Sequence, residues 1–133
     1  MAQSNSYFYG LGRRKASTAR ARLSTGKGAI VINDKKAEDY LCNNEAWLSE
    51  LLQPLQLIGK EKDFDISVHV DGGGLAGQVD ASKLAISKAL SAMNDDLRGT
   101  LKKAGLLKRD PREKEPKKYG LRKARKREQF SKR

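Results

Sequence analysis

Residues suited to redox or metal chemistry are scarce in this chain: one cysteine, Cys42, and one histidine, His69, among 133 residues. A lone cysteine excludes an intramolecular disulfide and a cysteine-rich zinc site, and it suits a reducing compartment. Prolines are few, at 54, 111 and 116, and aromatic residues make up only 6%. No apolar run approaches the ~18 residues that a membrane-spanning helix needs. The opening MAQSNSYFYG has no basic region leading into an apolar stretch, so it does not read as a signal peptide. Together these absences predict a soluble, cytoplasmic protein.

Positive charge is what the chain has in excess, with a formal net charge of +12. It is unevenly spread. Residues 1–99 hold 13 Lys and Arg against 12 Asp and Glu, a net of +1, whereas residues 100–133 hold 15 against 4, a net of +11. A near-neutral body thus carries a basic end, and one-signed charge of this size predicts a polyanionic partner. Beyond Leu107 the hydrophobic period disappears. Residues 108–133 offer only Tyr119, Leu121, Ala124 and Phe130 as apolar side chains. They bury too little surface to offset the entropy of ordering, so the chain divides into a body at 1–107 and a tail at 108–133 that is expected to be disordered until bound.

The body reads as a mixture of strands and helices. In 18-TARARL-23, alternation sets Ala19, Ala21 and Leu23 on one face and Arg20 and Arg22 on the other. After 24-STGKG-28, 29-AIVIN-33 reads as a second strand, and the two form a candidate hairpin. The segment 43-NNEAWLSELLQPL-55 has Trp47, Leu48, Leu51, Leu52 and Leu55 on one helical stripe, an asparagine cap, and Pro54 to limit its length. The cleanest strand is 64-FDISVHVD-71. A glycine run, 72-GGG-74, then leads into a helical pattern near 76–93, with Val79, Ile86, Leu90 and Met93 on one face alongside Ala85 and Ala89. Asp95 or Asp96 can cap a further helix that Gly105 would stop.

Of the candidate sites, the tail carries the strongest signal. Charge runs are commonly solvated surface, but this one mixes arginine with lysine and interleaves Tyr119 and Phe130, which can stack on bases. It lacks the wide apolar face that a membrane-surface helix requires. Lys117, Lys118, Arg122, Lys123, Arg125, Lys126 and Arg127 are therefore candidate phosphate ligands, given the fit of the arginine fork to phosphate. Arg13, Arg14 and Lys15 of 12-GRRK-15, with Arg20 and Arg22, make a second basic patch. Two arginines on one strand face lie ~6.6 Å apart, which spans neighbouring phosphates, although an exposed face carrying arginine for solubility accounts for them equally well.

The remaining motifs favour ordinary readings. The run 71-DGGGLAGQ-78 lacks the lysine and Ser/Thr of a P-loop and does not have dinucleotide-fingerprint spacing, so it reads as a tight strand-to-helix turn, with backbone contact to an RNA phosphate as the lesser alternative. His69 falls on the polar side of its strand as a surface residue, Cys42 reads as a small hydrophobe, and Asp95-Asp96 suits a helix start. No nucleophile, base and orienting group stand in a recognisable set, and no cofactor is implied.

Taken together, 12-GRRKASTARARL-23, 26-GKGAIVIN-33, 53-QPL-55, 72-GGGLAGQ-78 and 104-AGLLKRDPREKEPKKYGLRKARKREQFSKR-133 resemble the bacterial-type small-subunit ribosomal protein nine family over nearly the whole chain. The resemblance implies an α+β, two-layer sandwich of the ribosomal S5-domain-2-like type, with a left-handed β-α-β crossover and a long extended basic tail. It implies binding to 16S-type rRNA in the head of the small subunit, beside neighbouring head proteins. It also implies that Ser131, Lys132 and Arg133 approach tRNA in the peptidyl site. The setting would be a ribosome, in cytoplasm or organellar stroma, with no membrane and no small-molecule substrate. Two rival classes are a free-standing, non-specific nucleic-acid binder, which would co-purify with mixed nucleic acid, and a nucleotide-using enzyme built on the glycine turn, which would bind triphosphate with magnesium.

Overall fold

The computed structural model describes residues 7–60 and 62–109. The expectations placed on the tail, with its phosphate ligands from Lys117 to Arg127 and the terminal Ser131, Lys132 and Arg133, lie outside the described residues.

The described residues form an α+β body whose elements follow in the order β1 (Phe8–Arg14), β2 (Ser17–Thr25), β3 (Ile30–Ile32), β4 (Lys35–Lys36), α1 (Ala37–Tyr40), α2 (Glu45–Ile58), β5 (Phe64–Asp71), α3 (Leu75–Met93) and α4 (Asp95–Lys103). One mixed sheet has the strand order β1-β2-β5-β3-β4. The expected hairpin between 18–23 and 29–33 does not form. Instead β2 pairs antiparallel with β1 and with β5, and β3 runs parallel to β5. The long alternating strand β5 has two partners to offer, and it inserts between β2 and the three-residue β3. Parallel neighbours need a crossover, which β4, α1 and α2 supply. Strand β1 and the short β4 and α1 were not legible in the periodicity.

Several helix boundaries follow local chemistry. The Asn44 side chain accepts hydrogen bonds from the Ala46 and Trp47 amides (3.0 and 3.3 Å), capping α2 as expected. Pro54 does not end that helix, which continues to Ile58. Proline lacks only the N–H that would reach back to Glu50, and its ring is buried in the core side of α2. Gly59 ends it instead, in a left-handed conformation, while the Lys60 amide donates to the Leu55 carbonyl at 3.1 Å. For α4 the cap is Asn94, whose side chain accepts from the Asp96 amide; Asp95 and Asp96 occupy the first turn, where carboxylates suit the positive end of the helix.

Among the described residues, all the substantial helix packing lies on one side of the sheet. Ala19, Ala21 and Leu23 of β2 and Ile66, Val68 and Val70 of β5 meet Val79, Ile86 and Leu90 of α3, with Leu51 and Leu55 of α2 and Leu101 of α4 closing the core. Helix α3 is buried on more than the single expected stripe, because β1 and β2 cover one flank and α2 and α4 cover others. Its contact with β1 is backbone to backbone. A Cβ at Gly10 would strike the Ala85 carbonyl and lie 2.7 Å from the Ala89 nitrogen; one at Gly12 would strike the Ala81 carbonyl and lie 2.6 Å from the Ala85 nitrogen. Glycine on the strand and alanine at every fourth helix position are what allow this approach.

The loop between β2 and β3 is tied to β5 by Asp65, whose carboxylate accepts from the Lys27 and Ala29 amides at 3.0 and 3.1 Å. The Ala29 bond first, then that of Lys27, holds the carboxyl below its ordinary value. Because the folded value is lowered, the stabilisation is fully present above the ordinary carboxylate pKa and is lost as pH falls through the lowered one. NMR titration should show Asp65 protonating below 3.8, with the Lys27 and Ala29 amides shifting in step. A midpoint at or above that value would show that the loop is not held this way.

The close approach of β1 and α3 makes a second prediction. Gly12→Ala should destabilise the chain by about 3 kcal/mol, the upper end of ordinary overpacking, because backbone rather than a flexible side chain must yield. Gly99→Ala, in α4 with nothing within 4 Å of the added methyl, should stabilise by roughly 0.5–1 kcal/mol. Urea denaturation of both variants checks the contrast.

Candidate nucleic-acid interface

With the helices on one side, side-chain alternation sends every second residue of β1, β2 and β5 to the opposite, open face. The register aligns these residues in rows. Tyr9, Arg22 and Ser67 share one row, Leu11, Arg20 and His69 the next, and Arg13, Thr18 and Asp71 the third. Arg13, Arg20, Arg22, Ser67, His69 and Tyr9 are exposed. The Arg22 guanidinium lies over the Tyr7 ring, 5.1 Å from its centroid, a cation–π contact that steadies a long side chain. Tyr9, Arg20, Arg22, Asp34, Ser67 and His69 line a shallow hollow of about 270 Å³. His69 Nε2 stands 3.6 Å from an Asp71 carboxylate oxygen, so its surface placement is as expected and it also adjoins Arg20.

The five body residues of the expected patch do not share one surface. Arg13, Arg20 and Arg22 stand on the open face, and Lys15 is exposed in the turn between β1 and β2 with φ of 52°. Arg14 alternates to the helix side, where its Nε lies 3.5 Å from an Asp80 carboxylate oxygen and its side chain is only 13% exposed. Arg13, Arg14, Asp80, Lys83, Leu84 and Lys108 border another hollow of about 290 Å³ beside the end of the described chain, closed by Gly105 and Leu106. Sequence reading missed the aromatic part of the open face. The signal was present in 7-YFYGLGR-13, where residues 7, 9, 11 and 13 alternate with 8, 10 and 12, but two glycines on the buried side hid a strand from any hydrophobic count.

The glycine run is a turn, as its sequence suggests. Gly72 and Gly73 have φ of 74° and 65°, and the Gly72 carbonyl accepts from Ser17 Oγ at 3.0 Å and from Gln78 Nε2 at 3.1 Å. Tyr40 OH donates to Gln78 Oε1 at 2.6 Å, joining the turn to α1. Cys42 departs from expectation. It is exposed with φ of 56° in the turn after α1, and the preceding Leu41 takes the buried place. Among the described residues no group of His, Cys, Asp and Glu is arranged to hold a metal, and no helix is long and apolar enough to cross a membrane.

The described residues thus form an α+β body with three exposed arginines on one sheet face. The family model described as Ribosomal protein S9/S16 matches residues 12–133. A small ribosomal subunit protein uS9 from a Picosynechococcus strain is 50% identical over 131 residues, covering 98% of this chain and 96% of the relative. Proteins of the same name from Prochlorococcus marinus (52% over 126 residues, 95% and 93% covered) and from a Synechococcus strain (49% over 135 positions, both chains covered completely) are similar to it as well. The chain belongs to the ribosomal protein S9/S16 family, whose members are structural proteins and not enzymes.

The two placements of arginine make a stability test. Arg14→Ala should cost on the order of 1–2 kcal/mol, between the values for exposed and buried ion pairs, because it leaves a half-buried Asp80 carboxylate without this partner. Arg20→Ala with Arg22→Ala should change stability by no more than ~0.5 kcal/mol per site. Equal losses in thermal denaturation would show that the open-face arginines also hold the fold.

Proposed function

We propose that the protein is a structural constituent of the small ribosomal subunit that binds 16S-type rRNA in the head through the open sheet face, with a basic tail that reaches peptidyl-site tRNA. The observation that carries this reading is the array of Arg13, Arg20 and Arg22 on a face that the helices leave uncovered. Supporting it are the net +11 of residues 100–133 and the names of the relatives. An S5-domain-2-like sandwich with a left-handed crossover between β3 and β5, and a division into a body at 1–107 and a tail at 108–133, belong to the same reading.

In this reading the two parts divide the work. Strand arginines, set by a rigid sheet, grip neighbouring phosphates at fixed spacing, with Lys15 and Arg14 at the flank. Lys117, Lys118, Arg122, Lys123, Arg125, Lys126 and Arg127 supply further phosphate contacts. The 26 residues from Lys108 to Arg133 can span up to roughly 85 Å when extended, which suffices to cross an RNA domain. Ser131, Lys132 and Arg133 then meet the tRNA backbone, steadying any tRNA alike and carrying no codon information. Neighbouring head proteins are the remaining partners.

Affinity for a 16S rRNA head fragment, measured across salt concentrations, tests the assignment. Each phosphate contact contributes about 0.9 to the slope of log K against log salt, so Arg20→Ala with Arg22→Ala should flatten it by about 2. Removing residues 117–133 deletes nine Lys and Arg and should flatten it further. Deleting Ser131, Lys132 and Arg133 should leave subunit assembly intact and speed tRNA dissociation from the peptidyl site about fivefold, as for ~1 kcal/mol of partly exposed charge-assisted bonds. Unchanged slopes and off-rates would refute the reading.

A further inference from the structure

We infer that the hollow on the open sheet face takes one unpaired RNA base, stacked on the Tyr9 ring. The inference rests on the RNA-binding reading above and deepens it, since strand arginines alone account only for phosphate. Four of the six residues lining the hollow carry flat groups: the Tyr9 ring, the Arg20 and Arg22 guanidiniums and the His69 imidazole. Flat aromatic and guanidinium surfaces are what splayed-out bases stack on. Tyr9 is 48% exposed although it lies in a strand, and it sits directly across from Arg22, whose contact with the Tyr7 ring holds it against the face. At about 270 Å³ the hollow is slightly below the ~300–1,000 Å³ of whole-ligand clefts, a size for a single base.

The remaining wall residues point the same way. A site for phosphate alone gains nothing from a carboxylate, yet Asp34 borders this hollow. A carboxylate accepts hydrogen bonds from an exocyclic amino group, as acidic side chains do from cytosine, whereas the single N–H of uracil is flanked by two carbonyl oxygens that repel it. Asp34 is fixed in place by the β3–β4 turn, where Asn33 and Asp34 both have positive φ and the Asn33 side chain bonds the Val70 backbone in both directions, at 2.9 and 3.0 Å. The ligand is therefore a base that carries an amino group, presented outside a duplex, because side chains cannot read the deep groove of A-form RNA.

The test uses the full chain with three single-stranded hexanucleotides: all-adenine, all-uracil and abasic. Tyr9→Ala should weaken binding of the adenine strand roughly five- to a hundredfold, the range for losing one base–aromatic stack, and leave the abasic strand unaffected. Tyr9→Phe, which keeps the ring, should restore affinity. Asp34→Asn should narrow the preference for adenine over uracil, and the Tyr9 ring protons should move upfield only with base-bearing strands. Circular dichroism of each variant checks that the fold is kept. If Tyr9→Ala weakens all three strands equally or none of them, while loss of Arg20 and Arg22 weakens all three, the face binds phosphate only and the stacking inference fails alone. If loss of the arginines has no effect on any strand, the RNA-binding reading of this face falls with it.

Discussion

Backbone contact between β1 and α3 is the constraint on which the rest of the body depends. Gly10 and Gly12 have no side chain on the face that meets Ala81, Ala85 and Ala89, so strand and helix approach until any Cβ would clash. That approach seats a 19-residue helix across β1 and β2, and α2 and α4 pack in turn on α3. Larger residues at the glycines would lift α3 away and open gaps beneath Val79, Ile86 and Leu90, the apolar layer through which β2 and β5 join the core.

A sheet that the described helices cover on one side only sorts its residues by parity. Adjacent arginines in β1 illustrate the consequence. Arg14 is drawn to the helix side and to Asp80, whereas Arg13 stands with Arg20 and Arg22 on the open side. Each open-face side chain projects from a paired strand, and the strands are tied at their ends by Asp65, by Asn33 and by Ser17 at the glycine turn. Cationic groups on such a frame keep a fixed spacing, which favours recognition of a repeating anion over diffuse attraction. The face sets arginine between tyrosine and histidine, so charged and flat groups alternate across it.

Short-range chemistry was legible in the sequence. Alternation placed β2 and β5, the asparagine before α2 marked its start, and 72-GGG-74 announced a turn that needs positive φ. Signals that depend on a partner were not. Pro54 looks like a terminus from its missing N–H, but packing of the same ring into the core outweighs one lost hydrogen bond. Cys42 and Leu41 are interchangeable as hydrophobes on paper, and only the turn after α1 decides which is buried.

By itself the sequence determined the charge asymmetry, the mixture of strands and helices and the candidate cations, since these are sums and local periods along the chain, and its motifs carried the resemblance to the family. Tertiary structure decided strand order, placing β5 between β2 and β3, because pairing strength is a property of two strands and not of the loop between them. It also decided which arginines stand together and that Tyr9 joins them. Rows across a sheet are set by register, and register between β1, β2 and β5 is held by the core on the other side, where two glycines meet a helix backbone.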